Sequence, residues 1–173
     1  LELDRFLSGF RGDDVSAYGS TRARGALENR GLHAIDGDPS TAWAAPPRAG
    51  EALTVRFPSQ PVRRVQVTSP ADAESTPVDQ VEVVIGGREE VLELSVDPGC
   101  DETRSACDRV GTLALPAMSA DQVVVRLAGI EAAEAAAGRP ARISEVEISD
   151  GDGDPVRVET PASDACSDTS LTL

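Results

Sequence analysis

Short runs of alternating apolar and polar residues recur along almost the whole chain. Leu53, Val55 and Phe57 alternate with polar neighbours, and Val65 and Val67 do so after a break at Pro61. Val81, Val83 and Ile85 lead into Gly86-Gly87, and Val91, Leu92 and Leu94 follow that turn. Leu113 and Leu115, then Val123, Val125 and Leu127, then Ile143, Val146 and Ile148 continue the series, with Val156 and Val158 as a last candidate. Period-two patterning puts successive side chains on opposite faces of a strand, so one face is buried and the other wetted. Runs of this length, punctuated by Gly, Pro, Asp and Ser, read as an all-β sandwich or barrel. Only the alanine-rich stretch between Gly129 and Gly138 favours helix, and it holds at most a turn or two.

The ends are less regular. Val15 to Tyr18 reads as a further strand, and Ser20 to Arg30 as a polar, arginine-bearing loop. Past Asp150 a Gly-Asp-Gly-Asp-Pro turn leads into a Ser/Thr/Asp-rich stretch. With 173 residues and no internal repeat, one cored domain is expected. Its expected bounds are 12–159, after a lead-in over 1–11 and before a tail or linker over 160–173. Leu1 opens neither an initiator pattern nor a signal peptide, which points to a segment of a longer protein. No apolar run approaches the roughly 20 residues needed to span a bilayer.

Charge excludes one class of partner. A net charge of −14 opposes nucleic acid, which requires clustered positive charge, and it disfavours anionic membrane surfaces. The basic residues are all arginine and Asn29 is the one asparagine. That usage fits a GC-rich coding sequence of actinobacterial type; a halophile, with its acidic and lysine-free surface, is the alternative.

Three cysteines bear on compartment. Cys100 and Cys107 bracket a polar loop and form a small ring that a disulfide closes easily. Such bridges persist outside the reducing cytosol, so an extracytoplasmic setting is expected, in the cell envelope, the periplasm or the secreted fraction. A zinc site is the alternative, but no histidine or third cysteine is close in sequence. Cys166 is left odd, with its partner expected beyond the segment.

The densest chemistry lies in Ala34-Ile35-Asp36-Gly37-Asp38-Pro39-Ser40-Thr41-Ala42-Trp43. Two carboxylates flank a glycine and hydroxyls follow. A hard cation such as calcium takes six to eight oxygens at about 2.3–2.6 Å from groups of this kind. An Asx turn held by its own hydrogen bonds, with no ion, is the other reading. The sole tryptophan follows at once, as an apolar anchor.

With those residues in hand, the chain resembles the discoidin or coagulation-factor C-type domain, and within it the bacterial family-32 carbohydrate-binding modules. The resemblance rests on Val15-Ser16-Ala17 followed by the Ala34–Trp43 stretch. Leu53–Phe57 with Val62–Val67, and the closing Ala141-Arg142-Ile143-Ser144-Glu145-Val146-Glu147-Ile148, complete it. It covers roughly residues 12 to 150. It implies a jelly-roll β-sandwich of about eight mainly antiparallel strands, with Trp43 in the core. It also implies a structural calcium held by Asp36, Asp38, Thr41 and Glu145, with carbonyls near His33 or Ala34 and at Ser144. Such an ion would join residues about 110 apart and stabilise the native state by mass action.

The remaining signals are weaker. Tyr18 with Arg22 and Arg24 is the best polar-aromatic cluster for a ligand, because arginine forks bind sugar hydroxyls or carboxylates bidentately; a solvated loop is the alternative. His33 has no partner nucleophile in sequence, Arg11-Gly12-Asp13 is short enough to recur by chance, and Glu145 with Glu147 lacks a cleft for glycosidase chemistry. No phosphate loop or nucleophile elbow is present. The expected function is therefore a non-catalytic module of a larger exported or membrane-anchored cell-envelope protein. It would bind a polysaccharide or other glycan and contact neighbouring domains of the same polypeptide. Large membrane arabinofuranosyltransferases resemble this arrangement, carrying discoidin-like modules beside a membrane catalytic domain. The alternative is a structural or protein-interaction sandwich with no sugar-binding activity.

Overall fold

The computed structural model describes residues 15–23, 29–70, 72–100, 107–130, 137–151 and 155–156. The lead-in 1–11, the tail 160–173, Arg24, Val158, Cys166 and most of the alanine-rich stretch lie outside the described residues. Nine strands follow in chain order. They are β1 (Ser16–Gly19), β2 (Trp43–Ala45), β3 (Ala52–Ser69), β4 (Val78–Ile85), β5 (Arg88–Glu93), β6 (Ser95–Val96), β7 (Arg109–Ile130), β8 (Ala141–Ile143) and β9 (Glu145–Ser149). A 3₁₀ turn, Gly31–Ala34, precedes the oxygen-rich stretch. No helix among the described residues is long and apolar enough to cross a membrane.

Two long strands organise the all-β sandwich. The first half of β3, Ala52–Arg56, pairs with β1 on one side and with Gln122–Arg126 of β7 on the other. Its second half, Arg64–Ser69, pairs with β9 and with Arg109–Ala114 of β7. Beyond β7 the sheet continues through β4 to β5, while β6 joins the opposite half of β7. All of these ladders are antiparallel. A separate two-stranded sheet, β2 with β8, sets Trp43 opposite Ile143.

The chain separates less at Pro61 than the alternation suggests. The runs around Leu53–Phe57 and Val62–Val67 are one 18-residue strand, and the runs on either side of Pro116 are one 22-residue strand. Register shifts fall between Arg56 and Gln60 and between Val62 and Arg64. An extra residue bends a strand and reverses which parity faces inward, so Phe57 and Val62 are both core residues although five apart. A proline is tolerated where the ladder is already irregular.

Leu53, Val55, Val62, Val65 and Val67 of β3 meet Val123, Val125 and Leu127 of β7 and Val146 and Ile148 of β9 in one core. Trp43 is fully buried there, and its Nε1 donates to the Thr21 carbonyl at 3.1 Å. Gly86 and Gly87 take φ of 55° and 79° between β4 and β5. A two-residue hairpin turn of this hand needs positive φ at both positions, which glycine alone supplies without strain. Val156 is buried and donates its N–H to the Ile148 carbonyl at 2.8 Å, but it sits in no strand. The expected last strand is thus a single anchoring residue within the described chain.

Two further ties hold the loops. Cys100 and Cys107 are joined by a disulfide, Cα to Cα 5.7 Å, at the end of the β6–β7 hairpin. Glu51, buried just before β3, accepts from Ser20 Oγ at 2.6 Å, from Thr21 Oγ1 at 2.5 Å and from Arg48 Nε at 2.5 Å. Burial pushes the Glu51 carboxyl up, but the hydrogen bonds from Ser20, Thr21 and Arg48 outweigh it and hold the group below its ordinary value.

Candidate functional site

The turn that enters β2 is built from its own side chains. Asp36 Oδ1 accepts the Asp38 N–H at 3.0 Å, and Asp38 Oδ1 accepts the Ser40 N–H at 2.9 Å and Ser40 Oγ at 2.6 Å. These are successive Asx turns, each carboxylate capping the backbone two residues on. The Ser40 hydroxyl and N–H hold the Asp38 carboxyl below its usual range.

Thr41 is the centre of the turn. Its Oγ1 lies 3.1 Å from the His33 carbonyl, 3.0 and 2.9 Å from the two Asp36 carboxylate oxygens, and 3.0 Å from the Asp38 carbonyl. A hydroxyl has one proton and cannot serve four acceptors. A cation bound beside Thr41 would relieve that surplus of acceptors. Ligands about 2.4 Å from one calcium ion stand roughly 3 Å from their neighbours, and each of these oxygens lies at about that distance from Thr41 Oγ1. The residues present fit such an ion.

Of the four expected ligands, Asp36, Asp38 and Thr41 are brought together. The Asp38 carbonyl accepts the Thr41 N–H at 3.1 Å, while its carboxylate serves Ser40. Glu145 stands on β9 opposite Thr68, with one carboxylate oxygen buried. Among the described residues no three His, Cys, Asp or Glu side chains gather in a way that could hold an ion.

Beside this turn an open groove of about 610 Å³ runs between three loops. One wall is His33, Ser40, Thr41 and Ala42, with Asn29 and Ala23 behind; the other is Ala73, Glu74, Arg139, Pro140 and Arg142. The second wall is laced across about 65 residues of sequence. Thr76 donates its N–H to the Pro140 carbonyl and its hydroxyl to the Arg139 carbonyl, both at 2.8 Å. Arg139 Nη1 donates to the Ala73 carbonyl at 3.0 Å, and Arg142 Nη1 to Asp72 Oδ2 at 2.7 Å. The first wall is tied by Asn29 Nδ2, which donates to the Ala23 carbonyl at 2.9 Å. His33 joins groove and turn, since its Nδ1 is 3.5 Å from Asp36 Oδ2.

Chemically, the groove sets guanidinium, amide and imidazole groups beside a carboxylate and two hydroxyls. It suits a ligand rich in hydroxyl groups. None of its described lining residues is Phe, Tyr or Trp.

Of the expected Tyr18, Arg22 and Arg24, the first two lie among the described residues. Tyr18 lies on β1 opposite Thr54, with the Arg56 guanidinium 5.8 Å from its ring centre. Neither Tyr18 nor Arg22 lines the groove. Nearness in sequence did not bring them to it, because β1 alternates and turns Ala17 into the core while Tyr18 faces out. Sequence reasoning passed over Asn29, Glu74, Arg139 and Arg142. The one local signal was Asp72-Ala73-Glu74-Ser75, a turn-capping pattern.

No protein-family model matches the sequence, and no curated protein matches it. Solved structures do share the fold. The family 32 carbohydrate-binding module of NanJ from C. perfringens, in complex with galactose, is 14% identical with a TM-score of 0.52, over 78% of this chain and 93% of that one. CpGH89CBM32-5 from Clostridium perfringens, in complex with GalNAc-β-1,3-galactose, is 17% identical at a TM-score of 0.53, over 78% of this chain and 94% of that one. The arabinofuranosyltransferase AftD from Mycobacteria matches at 19% identity and a TM-score of 0.57, over 83% of this chain but 11% of that enzyme. The discoidin-like sandwich of the carbohydrate-binding modules is therefore the fold of this chain.

Proposed function

We propose that this chain is a non-catalytic carbohydrate-binding module of a larger exported or membrane-anchored cell-envelope protein. The open groove beside the Asp36–Thr41 turn is the observation that carries this reading. Arg142 and Arg139 can donate paired N–H groups to adjacent hydroxyls, Glu74 can accept from a third, and His33 and Asn29 face them. Sugar sites need such arrays, because each buried hydroxyl left unpaired costs affinity. The shared fold supports the same reading, since two of the neighbours hold galactose-type sugars.

Asp36, Thr41 and the carbonyls of His33 and Asp38 would hold a structural calcium ion, with Glu145 of β9 as the further expected ligand. Bound there, the ion supplies the positive charge that four converging oxygens lack. The disulfide supports an extracytoplasmic setting. A glycosyltransferase host acting on cell-wall arabinan accords with the match to a domain-sized part of AftD.

One observation favours a second reading, a scaffold domain that packs on its neighbours and binds no sugar: the groove lacks the aromatic platform that stacking on pyranose rings uses. NMR titration with galactose, a GalNAc disaccharide and arabinan fragments separates the two. The carbohydrate reading expects shifts confined to residues 29–42, 72–76 and 139–142, and their loss in Arg142→Ala. No shift with any sugar at millimolar concentration (weak binding by any standard) would leave the scaffold reading standing.

A further inference from the structure

We infer that Asp72 is the positioning residue of the groove: its one carboxylate fixes both Glu74 and Arg142, the acceptor and the donor of the same wall. The inference rests on the reading of the groove as a glycan site. Asp72 touches no groove ligand itself, for it is absent from the lining. Its two oxygens do different work. Oδ1 accepts the Glu74 N–H at 2.9 Å and Ser75 Oγ at 2.6 Å, while the Asp72 carbonyl accepts the Ser75 N–H at 3.3 Å. Those bonds cap the turn that presents Ala73 and Glu74.

Oδ2 takes Arg142 Nη1 at 2.7 Å, from a strand 70 residues further on. Arg142 is anchored on its backbone side as well, where Ser69 Oγ donates to its carbonyl at 2.9 Å and Trp43 and Ile143 pair beside it. Without Oδ2 the long side chain would be fixed only at its root. Holding a rotamer-rich guanidinium before the ligand arrives removes an entropic cost of binding. Using one Nη for this leaves the other N–H groups of the fork unclaimed by Asp72. The pair is partly exposed, with side-chain exposures of 21% for Arg142 and 42% for Asp72, so it contributes little to stability and its value lies in geometry.

The substitution Asp72→Asn separates the two tasks. Asparagine keeps an acceptor for the Glu74 N–H and Ser75 Oγ but sets an NH₂ donor against Arg142, so the turn survives and the guanidinium is released. Expected results are a melting temperature close to that of the parent, broadened or averaged Arg142 Nε–Hε resonances, and sugar affinity reduced about tenfold. Ser75→Ala, which leaves Oδ2 untouched, should keep Arg142 ordered and cost less affinity. If Arg142 stays ordered in Asp72→Asn, or if the parent binds sugar and the variant binds it equally, Asp72 has no positioning role. If the parent binds none of the sugars, the glycan reading falls, and the order of Arg142 still decides the role of Asp72.

Discussion

Two carboxylates within fifteen residues of each other have opposite surroundings. Glu51 is met by donors: two hydroxyls and a guanidinium point at it, and the Ser20 hydroxyl in turn accepts the Ala52 N–H at 2.9 Å. Asp36 has the Asp38 N–H on one oxygen and otherwise depends on the Thr41 hydroxyl, whose one proton faces four oxygens. The first is a closed tie, with a donor for each contact; the second divides one hydroxyl proton among more oxygens than it can serve. If the turn holds the proposed calcium ion, the balance of donors and acceptors, more than the number of oxygens, separates it from a structural carboxylate such as Glu51.

Three experiments put that contrast at risk. The largest effect expected is calcium itself: at a hundredfold excess over its dissociation constant it should stabilise the fold by about 2.7 kcal/mol. Asp36→Asn should abolish the rise in melting temperature, whereas Glu51→Gln should leave it intact. An identical melting curve in calcium and in chelator would remove the ion from the turn.

Truncation comes next. Glu51→Ala should cost about 1–3 kcal/mol, because it leaves the part-buried Ser20 and Thr21 hydroxyls without their acceptor. Thr41→Val and Thr21→Val should each cost about 1 kcal/mol in chelator. Only Thr41→Val should blunt the calcium response. Denaturant unfolding with and without calcium reads both effects, and equal responses from the two valine variants would erase the distinction.

The smallest effect is in acid. The Glu51 carboxyl is held below its ordinary value of 4.5 in the folded state, so its contribution is complete above the unfolded value and is lost as pH falls through the lowered folded one. Melting temperature should therefore fall more steeply below about pH 4.5 in the parent than in Glu51→Gln. Parallel curves would show that the tie carries no charge-dependent stability.

Local features are legible in the amino-acid order. Asp36, Asp38, Ser40 and Thr41 act within five residues of one another, so their turn follows from side chains that can reach their own backbone. Gly86-Gly87 marks a hairpin because its backbone needs positive φ, and Cys100 and Cys107 are near enough in sequence to meet. Trp43 reads as core because nothing else in that stretch has comparable apolar surface. The long strands are harder: Pro61 looks like a break, and only the pairing with a neighbour shows that a bulge carries the strand through.

The groove is not legible at all. Asp72, Glu74, Arg139 and Arg142 are residue types that any acidic, arginine-bearing surface contains, and no spacing joins them. Tyr18, Arg22 and Arg24 read as a better cluster for being adjacent, yet strand alternation turns Tyr18 onto an outer face beside Arg56.

The all-β class, the core alternation, the capped oxygen-rich turn and its tryptophan anchor thus follow from the sequence alone, since each depends on bonds or burial within a few residues. Where the groove lies, and which side chains share it, follows only from the folded whole. Those contacts close loops of about 65 to 70 residues, and only the complete sandwich, by docking β8 against β2 and Thr76 against Pro140, brings such distant segments within hydrogen-bonding distance.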